Sequence, residues 1–176
     1  MTEDRADQIR DAVKDTFLDN LTELLLGSGL RLGEALGLDQ GDVADGVVIV
    51  RRSKTRIRAV NVSADAADAL RREIASAPRR GPREPVFFGP RTGDRMRADT
   101  VTHAFPRLLT AAGLPRMTPH GLRHGAATIL LTKGAPMKVI QEQLGHASMQ
   151  TTSRVYAHVI PELQREAAQL LNRRAK

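Results

Sequence analysis

The chain has 176 residues, 41% of them hydrophobic, yet only four Phe, one Tyr and no Trp, so its core must be built mostly from Leu, Val, Ile and Ala. Lys and Arg total 27 against 20 acidic residues, a formal charge of +7 that favours polyanionic partners, nucleic acid foremost. The absence of cysteine rules out disulfides, thiolate metal sites and cysteine nucleophiles.

No apolar run approaches the roughly 20 residues of a membrane span, and the opening MTEDRADQIR lacks a signal-peptide core. The expectation is one intracellular domain.

In chain order, Ile9, Val13, Phe17, Leu21, Leu24 and Leu25 recur at helical spacing, predicting one amphipathic helix over residues 5–26, stopped by Gly27-Ser28-Gly29. A short helix, RLGEALG, follows. Residues 43–62 are rich in β-branched residues around a turn at Gly46 and a basic tip SKTR, predicting a small three-stranded antiparallel meander. Ser63 caps a helix over 64–77.

Residues 78–97, rich in Pro, Gly and Arg, read as a basic loop holding a short VFF strand. A helix over 98–112 should kink or split at Pro106. Thr118 and Pro119 open a helix that ends at Gly134, with shorter helices at 136–144, 148–158 and 161–174. The fold class is mainly α with one small antiparallel sheet (α+β).

On the helix from Pro119, Leu122, Ala126, Ile129 and Leu130 share one face, while His120, Arg123, His124 and Ala127 share the other. A His and an Arg at i, i+3 are able to meet one anion, though an ordinary solvated face explains the pair as well. His120 and His124 stand at zinc-helix spacing, but Gly121 replaces the Glu such a site needs, and no metal is expected.

Arg31 follows the double-glycine stop, with Glu34 three residues on. Five of the eight residues 51–58 are basic, with Lys54 at the hairpin tip. They suit either a charged edge that guards the sheet or a cationic finger for a DNA groove.

Each signal is weak alone, but their order is specific: GLRxGE, a hairpin SKT, PHGLRH, then LGHxSxxTTxxxYxH. In this order the chain resembles the tyrosine recombinase (phage integrase) family over essentially all of residues 5–176. The resemblance implies a catalytic domain with the active set Arg31, Lys54, His120, Arg123, His146 and Tyr156, with Glu34 in support. It also marks Arg51, Arg52, Arg56, Arg58 and His124 as candidate DNA contacts.

The chemistry agrees with that set. Reversible DNA cutting without a cofactor needs a nucleophile that conserves the phosphodiester in a covalent link. A tyrosine hydroxyl, with pKa about 10, gives a phenolate that leaves more readily than a serine alkoxide. As the resemblance implies, Arg31 and Arg123 would hold the scissile phosphate, and Lys54 would protonate the departing 5′ oxygen. His120 would assist proton transfer from Tyr156, while His146 would bond a non-bridging oxygen. Neither cofactor nor metal is required, since the arginines meet the charge that Mg²⁺ meets elsewhere.

The implied function is site-specific recombination through a 3′-phosphotyrosine, in DNA integration, excision or resolution. The alternatives are a type IB topoisomerase-like enzyme and a non-catalytic DNA-binding protein of the same fold. The implied partners are double-stranded DNA and further copies, monomeric in solution and tetrameric on paired sites, in a bacterial or phage-infected cytoplasm. The family's usual N-terminal core-binding domain is not expected within this chain. Residues 161–176 form a helix that docks on a neighbouring subunit or on its own domain.

Overall fold

The apolar stripe expected of a single N-terminal helix is carried by two. In the computed structural model, which describes residues 1–51 and 57–145, α1 spans Glu3–Val13 and α2 spans Asp19–Ser28. Between them Asp15 takes a left-handed conformation, φ 59°. The Thr16 hydroxyl donates to the Val13 carbonyl at 2.6 Å, and the Asp19 carboxylate accepts from the Asp15 N–H at 3.1 Å. Such local side-chain bonds compete with helical hydrogen bonding and end α1. The break turns Phe17 out of the stripe, leaving it 38% exposed, whereas Ile9, Val13, Leu21, Leu24 and Leu25 are buried.

Helix α2 runs through Gly27 and ends at Gly29 in the left-handed region. Gly27 is a point of close approach: a Cβ there would lie 2.2 Å from Ser63 Oγ and 2.7 Å from the Ala66 Cβ. Both belong to the start of α4 (Ala64–Ser76), which packs along α2. As expected, Ser63 caps α4, its hydroxyl accepting from the Ala66 N–H at 3.2 Å.

After α2 come α3 (Leu32–Leu36) and a 3-10 turn (Gln40–Asp42). The antiparallel sheet has the order β1-β2-β3, with β1 Val43–Ala44, β2 Val47–Val50 and β3 Arg58–Asn61. The register places Val48 opposite Val60 and Val50 opposite Arg58. All four side chains are on the buried face, so the alternation that puts Val60 into the core turns Arg58 inward too. The hairpin tip, residues 52–56, lies outside the described residues, as do the two helices expected beyond residue 145.

The VFF segment forms no strand. Isolated bridges pair Phe88 with Arg95 and Asp39 with Pro85, while Val86 and Phe87 enter the core. Helix α5 (Ala98–Ala111) is not split at Pro106. The carbonyl that loses its intrahelical partner there belongs to Thr102, an exposed residue. Helices α6 (Pro119–Thr132) and α7 (Met137–Leu144) complete the described chain. Thr118 is the N-cap residue of α6, but its side chain makes no capping bond. No helix among the described residues is long and apolar enough to cross a membrane.

Candidate active site

Helix α6 contributes the most buried cation of the site. Arg123 is only 3% exposed, so the polar stripe of this helix is not simply a solvated face. Its Nη1 donates to the Gly29 carbonyl at 2.6 Å, and its Nη2 donates to the Leu144 carbonyl at 2.7 Å. Both acceptors are at helix C-termini, of α2 and α7, where carbonyls lack intrahelical partners and the helix dipoles favour a positive charge. One guanidinium therefore joins the ends of two helices.

Arg31 and Glu34 bracket the start of α3. The Glu34 carboxylate accepts from the Arg31 backbone N–H at 3.0 Å and from Arg31 Nη1 at 3.0 Å. Arg31 Nη2 reaches the Gly145 carbonyl at a long 3.4 Å, and its side chain keeps 41% exposure. Glu34 is buried and meets a second guanidinium on its other side. Arg58 Nη1 and Nη2 donate to its two oxygens at 3.0 and 2.9 Å. Burial by itself would raise the Glu34 carboxyl; the bonds from Arg58 and the Arg31 backbone overcome this and hold it at about 2.

Arg58 was expected at a DNA-facing surface, and the structure corrects this. Its side chain lies beneath the sheet's inner face, paired with Glu34, with Nη2 at 3.5 Å from the Leu144 carbonyl. The signal was present in the sequence, since Arg58 precedes Val60 by two residues in a strand. Sequence reasoning missed that consequence, and it also missed the acceptor carbonyls of Gly29, Leu144 and Gly145.

Three guanidinium groups thus gather at the C-terminal end of α7, two of them sharing the Glu34 carboxylate. Gly145, at φ 63°, closes that end. The chain runs from there directly into His146.

His120 and His124 sit one turn apart on α6, their rings in an edge contact with centroids 4.5 Å apart. Both are held below the usual histidine range. Burial is the main cause for each; the Arg123 and Arg31 cations add to it at His120, and His120 and Arg123 add to it at His124. The imidazoles are therefore neutral near pH 7 and able to accept a proton. Arg51 is an exposed residue at the end of β2, paired with Asp42. Lys54, His146 and Tyr156 of the expected active set, and Arg52 and Arg56, lie outside the described residues. No group of three or more His, Asp or Glu that could hold a metal ion occurs among the described residues.

What the fold and site define is a mainly helical domain in which Arg31, Arg58 and Arg123 meet at the C-terminal end of one helix. Its backbone is similar to that of the solved XerA recombinase, with a TM-score of 0.82 and 28% identity over 98% of this chain and 64% of that one. A likeness in fold extends to XerH site-specific recombinase bound to palindromic difH substrate, with a TM-score of 0.73 and 24% identity, covering 96% of this chain and 52% of the other.

The phage integrase family profile matches residues 1–162, and the chain belongs to that family. It is 42% identical over 135 residues to tyrosine recombinase XerC of Nitrobacter winogradskyi, covering 73% of this chain and 42% of the relative. To XerC of Corynebacterium efficiens it is 36% identical over 157 residues, covering 88% and 50%. The chain spans about half the length of the curated relatives it matches.

Proposed function

We propose that this chain is the catalytic domain of a site-specific DNA recombinase that cleaves and rejoins strands through a 3′-phosphotyrosine at Tyr156. The observation that carries the reading is the convergence of Arg31 and Arg123 on the carbonyls of Leu144 and Gly145, immediately before His146. Membership of the family supports it, as do the names of the XerC relatives.

Attack on a phosphodiester adds negative charge to the non-bridging oxygens. Guanidinium groups held in place before substrate arrives stabilise that charge without having to reorganise. Arg31, with its exposed side chain, receives the phosphate. Arg123, clamped on two carbonyls, adds its charge at a fixed position. Neutral His120 takes the Tyr156 proton, and Lys54 protonates the departing 5′ oxygen. His146 bonds a non-bridging oxygen, while Glu34 orients Arg31. The exposed Arg51, with Arg52 and Arg56, contacts the DNA backbone.

Double-stranded DNA is the substrate, and copies of the chain assemble as a tetramer on paired sites, in the cytoplasm where that DNA resides. The test is a nicked suicide substrate, from which the wild-type chain forms an SDS-resistant adduct while Tyr156→Phe forms none. Equal behaviour of the two proteins contradicts the assignment.

A further inference from the structure

We infer that Arg58 is a positioning residue for strand cleavage: its buried guanidinium occupies the inner side of Glu34 and backs the α7 end, leaving Arg31 turned outward to the phosphate. This rests on the recombinase reading above and adds a residue to it.

Glu34 accepts from both Arg31 and Arg58, so the two cations share one carboxylate. The sharing is unequal. Arg58 makes two parallel bonds from a side chain only 7% exposed, while Arg31 makes a single side-chain bond and remains open to solvent. A two-pronged guanidinium pair is the geometry a carboxylate fills best. With Arg58 in place, the demand of Glu34 for positive charge is met from inside the protein. Without it, the buried carboxylate has Arg31 as its remaining cationic hydrogen-bond partner among those described, and it draws that guanidinium inward.

A second contact connects Arg58 to the other half of the site. Its Nη2 lies 3.5 Å from the Leu144 carbonyl, the same oxygen that accepts from Arg123. A Cβ on Gly145 would fall 2.7 Å from Arg58 Cζ and 2.8 Å from Nε, so the guanidinium lies directly against the backbone of the turn. The Arg58 Nε is buried and has no hydrogen-bond partner among the described residues. A buried donor left unpaired is a cost that packing of the charge alone does not require. The orientation is thus set by the Glu34 fork and the Gly145 contact, at the expense of Nε. Groups that fix the orientation of a ligand-binding side chain in this way commonly change activity by about 10–100-fold when removed.

The experiment measures single-turnover covalent capture of a nicked suicide substrate by the full chain, with DNA affinity and far-UV circular dichroism recorded for each variant. Arg58→Met should lose roughly 10–100-fold in cleavage rate while DNA affinity stays within about 3-fold, because the Arg58 side chain is only 7% exposed. Glu34→Gln added to Arg58→Met removes the negative charge that draws Arg31 inward and should recover about 10-fold of the lost rate. Arg58→Lys, which keeps the cation but not the fork, should fall between wild type and Arg58→Met, and it serves alone if the Met variant does not fold.

Wild-type cleavage by Arg58→Met or by Arg58→Lys overturns the inference. So does a double variant no faster than Arg58→Met, or a loss that appears equally in DNA affinity. Absence of any adduct from the wild-type chain contradicts the recombinase reading itself, and with it the reaction in which Arg58 is placed.

Discussion

Arg123 joins two helix ends that are 115 residues apart in sequence: its guanidinium donates to the carbonyl of Gly29, which caps α2, and to that of Leu144, the last residue of α7. The pair Gly29 and Leu144 is therefore held at a fixed separation by the residue proposed above to meet the phosphate. Arg31, by contrast, is tied to the site by a shared carboxylate and keeps an exposed face.

This difference predicts distinct phenotypes for the two arginines. Arg31→Ala and Arg123→Ala should each reduce covalent capture by on the order of 3–4 kcal/mol of transition-state stabilisation, as loss of a single preorganised donor does. Arg123→Ala should lower the melting temperature more than Arg31→Ala, because the buried Gly29 carbonyl loses its Arg123 donor and the Leu144 carbonyl keeps only the long contact from Arg58, at about 1–3 kcal/mol each. Thermal unfolding beside adduct formation separates the two effects. Equal melting temperatures for both variants would contradict the structural role of Arg123.

Glu34 gives a stability signature in acid. Its folded pKa of about 2 is below the ordinary value of 4.5, so ionised Glu34 stabilises the fold. That contribution is fully present above the unfolded value, and it is lost as pH falls from about 4.5 through about 2. The difference in unfolding free energy between wild type and Glu34→Gln should accordingly shrink across that window. A difference that stays constant with pH would show that the carboxylate is not held ionised by Arg58 and Arg31.

The histidines titrate in the opposite chemical sense but with the same dependence. Folding lowers the pKa of His120 and His124 from 6.5, so the fold favours the neutral ring. The associated stability is present above the unfolded value and declines as pH falls through the folded one. In an NMR titration both imidazoles should have midpoints below 6.5, and in Arg123→Ala both should move up, since that cation contributes to each shift. A midpoint above 6.5 for His120 would contradict the downward shift, and one well above 7 would remove it as a proton acceptor near neutral pH.

Arg51 offers a test of the DNA-facing surface. It is exposed, and its partner Asp42 is on the adjoining 3-10 turn. If Arg51 contacts a phosphate, Arg51→Ala should weaken binding to all sequences similarly and reduce the slope of log affinity against log salt by about 1. The melting temperature should also fall modestly, because the buried Asp42 carboxylate loses its cationic partner. An unchanged salt slope would place Arg51 off the DNA.

Much of this was legible in the sequence because local rules governed it. The i, i+3 relation of Arg31 and Glu34, the Ser63 cap, the β-branched meander and the Pro119 helix start all follow from short-range pattern. What was not legible depended on tertiary partners. Helical periodicity assigned Arg123 to a polar face, and only the arrival of the α2 and α7 carbonyls makes that face an interior. The break at Asp15 is set by hydroxyl and carboxylate bonds that period counting ignores. Arg58 was counted as one of five basic residues in a hairpin, although its spacing from Val60 already turned it inward.

The central claim is that Tyr156, the chain's single tyrosine, becomes covalently bound to DNA. Trypsin cleaves after Arg154 and Arg165, so digestion of the captured adduct releases residues 155–165 as one peptide. Mass spectrometry should find that peptide carrying a 3′-phosphorylated nucleotide, with fragmentation placing the added mass on Tyr156. The same peptide recovered unmodified, with DNA attached elsewhere or nowhere, would contradict the account.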